Sequence, residues 1–158
     1  MKVSEFLEPN AVLPQLRAGS KKQLLTELGA SAGGQLGIDP RRVFETLFQR
    51  EKLGSTGLGQ GIAIPHGKIA GITRVHGLFA RLAAPVDFEA VDDQPVDLIF
   101  MLLAPETAGA DHLKALACIS RLMRDAALVQ KLRGTNTAAG LYSLLTEPAS
   151  SKSSTHAA

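Results

Sequence analysis

One histidine stands in an unusual frame: Gly61-Ile62-Ala63-Ile64-Pro65-His66-Gly67-Lys68, with apolar residues of strand type before it and a proline and a glycine on either side. A neutral imidazole has a pKa of roughly 6.5, so near neutral pH much of it presents a nucleophilic nitrogen. Such a ring can accept a phosphoryl group and pass it on under two conditions. One tautomer must be fixed, and positive charge and N–H groups must surround the incoming oxygens. Pro65 and Gly67 can set the pose of His66. The glycine-rich stretch 54–61, with Ser55 and Thr56 in it and Arg50 just before it, can supply the phosphate contacts. Arginine suits this task because its planar fork donates bidentately to phosphate.

Two other chemistries compete for the same residues. Gly57-Leu58-Gly59-Gln60-Gly61 looks like half of a dinucleotide fingerprint, but that fingerprint must leave a strand and open a helix. Here a helical pattern precedes the glycines and a strand ending in proline follows them. A Walker-type loop ending at Gly67-Lys68 fails at Ile62, where glycine is needed, and at Ile69, where a magnesium-binding hydroxyl belongs. His66, His76 and His112 lack the local spacing of a zinc motif. Neither a cofactor nor a metal is therefore expected. Each residue also has an ordinary reading. His76 reads as structural, His112 as helix surface, Arg50 as a helix-end charge, Ser55 and Thr56 as loop polar groups, and the glycines as a turn.

The elements that must position these groups follow from caps and periodicity. Ser20 is a plausible N-cap, followed by Leu24, Leu25, Leu28, Ala32 and Leu36 at helical spacing. Asp39-Pro40 starts a second helix over 40–53, with the stripe Val43, Phe44, Leu47 and Phe48, ended by Gly54. The stretch 54–61 reads as a loop. Strands are expected at 62–64, at 74–82 with both faces largely apolar, and at 96–103. After Pro105, Asp111 is expected to cap a helix to about Arg124, with Leu113, Leu116, Ala117 and Ser120 inward. Shorter helices are expected over 126–132 and 137–145. Two helices, a group of strands and three helices make a mixed sheet between helical layers, without internal repeats.

Composition narrows the class further. At 158 residues, 45% hydrophobic and 20% charged, the chain suits one globular domain. The balance of 17 basic to 15 acidic residues, net +2, with no basic cluster, argues against nucleic acid as a partner. Cys118 is alone, which precludes an internal disulfide and suits a reducing compartment. The longest apolar run, Leu98 to Ala104, is seven residues against the roughly 20 that a membrane helix needs. No membrane insertion and a cytoplasmic location are expected. The last residues, 148–158, PASSKSSTHAA, have nothing to bury and are expected to form a disordered tail after a domain spanning 1–147.

The segment from Arg50 to Lys68, together with Asp87-Phe88-Glu89-Ala90-Val91-Asp92-Asp93-Gln94-Pro95-Val96-Asp97-Leu98, resembles the enzyme IIA domains of the fructose–mannitol class. These belong to the phosphoenolpyruvate-dependent phosphotransferase system. Within that class the likeness is to the stand-alone nitrogen-regulatory members, and it runs from about Ser4 to Leu145. It implies a three-layer α/β/α sandwich with a mixed β-sheet. It further implies that His66 is phosphorylated by an HPr-like phosphocarrier, that Arg50 stabilises the phosphate and that His112 is the second histidine of the site. Ser55 and Thr56 match loop positions lining the pocket. Regulatory targets such as kinases, transporters or regulators would then be the acceptors or binders. Two alternatives stand beside this: a sugar-specific enzyme IIA serving a membrane permease, and a regulatory binding module that transfers nothing onward.

Overall fold

A computed structural model describes residues 1–147, so the expected tail at 148–158 lies outside the described residues. After a 3₁₀ turn (Val3–Glu5) the elements run β1 (Leu7–Leu16), α1 (Lys21–Leu36), α2 (Pro40–Lys52), β2 (Gly57–Gly59), β3 (Ile62–Ala63), β4 (His66–Ile69), β5 (His76–Val86), β6 (Val96–Pro105), α3 (Ala110–Met123), α4 (Ala126–Arg133) and α5 (Ala138–Thr146). Among the described residues no helix is long and apolar enough to cross a membrane.

The helix starts follow the expected chemistry. Ser20 Oγ accepts from the Gln23 N–H at 3.1 Å, and Asp39 Oδ1 accepts from Arg41 N–H at 3.0 Å with Pro40 in the first turn. Asp125 and Thr137 cap α4 and α5 in the same way. The third helix departs from expectation. Gly109 occupies its N-cap position with no side-chain cap, and Asp111 lies in the first turn. Its buried residues are Ala115, Ile119 and Met123, while Leu113 is 69% exposed. The face differs because packing on the sheet, and not helical periodicity alone, decides which stripe turns inward, where periodicity alone pointed to Leu113.

The sheet is mixed, in the order β1-β5-β6-β3-β2, with β4 also on β6. β5 and β6 pair antiparallel and form its centre, with Phe79, Phe100, Leu98 and Ile99 fully buried. That both faces of 74–82 would be covered is borne out, since His76 to Ala80 are all buried. β3 and β4 both run parallel to β6 and are separated by Ile64-Pro65. Proline has no N–H to give, but its carbonyl accepts from Leu102 N–H at 2.9 Å, so the interruption keeps one ladder bond. Alternation on β4 shows the layering. A Cβ on Gly67 would lie 2.6 Å from Thr46 Cγ2 of α2, whereas the ring of His66 meets that of His112 on α3. Helices thus cover both faces, as expected for an α/β/α sandwich.

Three strands lie where the sequence pattern showed none. β1 pairs parallel to β5 at the sheet edge, with register shifts between Leu7 and Val12 and between Leu13 and Leu16. It holds Pro9 and Pro14, which an edge strand tolerates and a sequence reading takes as breaks. β2 forms inside the stretch read as a loop, and β4 begins at His66 itself.

Candidate active site

His66 opens β4, directly after the proline that interrupts the strand. Its Nδ1 lies 2.7 Å from the Ile64 carbonyl oxygen. A carbonyl only accepts, so Nδ1 carries the hydrogen and the lone pair is left on Nε2. Burial lowers the ring's pKa below the ordinary 6.5. The Ile64 hydrogen bond works against that shift, the Arg50 charge works with it and the Glu51 charge works against it. The outcome is a ring that is neutral near pH 7, half-buried, with one nitrogen ready to attack.

Arg50 sits in the last turn of α2, where a cation is favourable, and donates from Nη1 to the Gly54 carbonyl at 2.9 Å. It makes no ion pair among the described residues. Its guanidinium has further donors to offer, and its charge reaches His66. Arg50, Leu53, Gly67 and Lys68 line one groove between the end of α2 and β4.

The second histidine is brought in by α3. The His66 and His112 rings lie edge to face, 5.8 Å between centroids at 62°. His112 Nε2 is buried and has no hydrogen-bond partner among the described residues. Burial lowers its pKa first, then the neighbouring His66 and Lys68 charges. Lys68 is a further cation near this pair that the motif-based expectations do not include. Its signal is available in the sequence, since residues i and i+2 of a strand share a face and Lys68 follows His66 by two.

Ser55 and Thr56 are close by but already occupied. Ser55 Oγ donates to the Phe88 carbonyl at 3.1 Å and accepts from Gly57 N–H at 3.0 Å. Both the hydroxyl and the N–H of buried Thr56 donate to Glu51. The N–H groups of Gly54, Thr56, Gly57 and Gln60 are likewise bonded within the protein. These hydrogen bonds shape the loop around the histidine. At its tip, Gly61 has φ +83°, and a Cβ there would run into Arg133 Nη2 and lie 2.8 Å from Asp97 Oδ1.

A family model described as "Phosphoenolpyruvate-dependent sugar phosphotransferase system, EIIA 2" matches residues 5–147. The chain belongs to this family. A nitrogen regulatory protein of Bradyrhizobium diazoefficiens is 55% identical over 148 residues, covering 94% of this chain and 97% of that protein. The crystal structure of nitrogen regulatory protein IIA-Ntr from Neisseria meningitidis superposes with a TM-score of 0.86 at 40% identity, over 91% of this chain and 99% of that one. IIA mannitol from Escherichia coli, 21% identical, shares the fold at a TM-score of 0.72 over 87% of this chain and 97% of its own. The resemblance of this enzyme IIA chain to the fructose–mannitol class, and within it to nitrogen-regulatory members, is borne out. It is a phosphotransferase-system component with the expected α/β/α architecture.

Proposed function

We propose that this enzyme IIA chain is a cytoplasmic phosphoryl carrier that takes its group on His66 Nε2 from an HPr-like phosphocarrier. The observation that carries the reading is the 2.7 Å bond from His66 Nδ1 to the Ile64 carbonyl, which leaves Nε2 unprotonated in a ring that meets His112 and feels the Arg50 charge. The Nε2 lone pair forms the new N–P bond as the donor's N–P bond breaks in line. The donor nitrogen recovers that electron pair and takes a proton from solvent, while His66 keeps its Nδ1 hydrogen on Ile64. Arg50 holds the phosphoryl oxygens, and the unpartnered His112 Nε2 acts as a hydrogen-bonding neighbour to them. Ser55 and Thr56 serve by holding the loop that lines the phosphate pocket.

The identity of 55% to a nitrogen regulatory protein supports a regulatory output over sugar transport. The added phosphoryl charge, close to −2, would change which kinases, transporters or regulators dock around His66. Reconstituted phosphotransfer tests the core of the proposal. The carrier should label the wild-type chain once and His66→Ala not at all; labelling that survives the substitution removes His66 from the role. Capture of partners by the phosphorylated and unphosphorylated chain then tests the regulatory output.

A further inference from the structure

Glu51 is an acid in a place that opposes one. It lies in the last turn of α2, at the negative end of the helix dipole, and its side chain is only 3% exposed. A buried carboxylate persists when its oxygens are fully partnered. Lys21 Nζ, from the start of α1, lies 3.0 Å from Oε1; the Thr56 N–H reaches the same oxygen at 3.1 Å, and the Thr56 hydroxyl donates to Oε2. Lys21 is held in turn over the Phe88 ring, 4.6 Å from its centroid, and 3.5 Å from Glu89 Oε1.

The connection continues beyond Thr56. Its carbonyl accepts from Ile64 N–H at 3.1 Å, and the Ile64 carbonyl accepts from His66 Nδ1–H at 2.7 Å. An unbroken path of polar contacts therefore runs from Lys21 on α1, through Glu51 and Thr56, to the ring on β4. Ile64 is clamped on both its N–H and its C=O. We infer that Glu51 is a positioning residue for His66, holding through Thr56 the Ile64 carbonyl that fixes the ring's tautomer and direction; this rests on His66 being the phosphoryl acceptor.

Two variants separate positioning from charge. The charged or titratable groups around His66 are Arg50 and Glu51 from α2, His112 from α3 and Lys68 from β4. Thr56→Val removes one hydroxyl and no charge. It should leave the His66 pKa in place, mix the two ring tautomers in nitrogen-15 NMR, and slow transfer about tenfold at unchanged KM for the carrier, the worth of one charge-assisted hydrogen bond. Thr56→Ser should restore both readouts. Glu51→Gln should do the same damage and also move the acid limb of the rate profile to lower pH, because the lost negative charge supports protonation of His66. Folded variants that keep a single Nδ1–H tautomer and the wild-type rate overturn the inference. If Glu51→Gln does not fold, Thr56→Val alone carries the same decision. If the wild-type chain accepts no phosphoryl group, the assignment of His66 is what fails, and the tautomer measurement still decides whether Glu51 positions its ring.

Discussion

His66 and His76 flank the same central strand, opposite Leu102 and Leu103 of β6, and both are pushed below the ordinary histidine pKa by burial. They are bonded through opposite nitrogens. His76 Nε2 is 2.8 Å from Gln35 Oε1, and Gln35 donates from Nε2 to the Asn10 carbonyl at 3.0 Å. That ties the ring into a packed path between α1 and β1, with the Glu8 charge nearby. His66 instead turns its bonded nitrogen to its own backbone and leaves the other free, in a ring that the Arg50 charge reaches and the His112 ring meets. Burial by itself makes a neutral histidine. What distinguishes the two rings is which nitrogen is occupied and which charges reach the ring.

Substitution at the two histidines should break this pair apart most sharply. His66→Ala should abolish phosphoryl labelling by the carrier, whereas His76→Leu should retain it, as measured in the same assay. Arg50→Ala comes next: removing the cation that meets the transferring group should slow labelling on the order of 10²–10³-fold, with circular dichroism unchanged. At His76 the loss should appear in stability instead. Leaving Gln35 Oε1 without its donor should cost about 1–3 kcal/mol, read from denaturant midpoints.

A pH series sharpens the comparison further. His66, His76 and His112 all have folded-state pKa values below 6.5, so the unfolded chain binds more protons than the native one. Their contribution to stability is full above 6.5 and is lost as pH falls through the folded values. Denaturant midpoints should therefore fall on acidification, and less steeply in His76→Leu, which lacks one of the three groups. A wild-type slope in that variant would remove His76 from the effect.

Much of this was legible before the fold was known, and the reason is locality. The caps at Ser20 and Asp39 work within one turn of chain, so short-range rules reach them. Pro65-His66-Gly67 stands out because proline and glycine constrain the residues beside them. Arg50 stands out by its type and its place just before the glycine-rich stretch, the role of His112 came from the resemblance, and the tertiary structure brings His112 to the histidine's edge and the Arg50 charge within reach of it. β1 was not legible, because its two prolines break the pattern and its partner β5 is far along the chain. The exposure of Leu113 was equally hidden, since the sheet rather than the helix chooses the face of α3.

The sequence alone determined that one histidine would follow a short apolar strand and a proline, behind a glycine-rich stretch and an arginine, in a chain of the enzyme IIA type. Those features depend on residue type and near neighbours. Only the tertiary structure decided that Nε2 is the free nitrogen. It also decided that the loop's hydroxyls are spent on Glu51 and Phe88, and that a buried acid lies beneath the loop. Ser55–Phe88 and Lys21–Glu51 join groups distant in sequence; the His66–Ile64 and Thr56–Glu51 bonds span only a few residues, but the backbone geometry that makes them is set when the layers pack together.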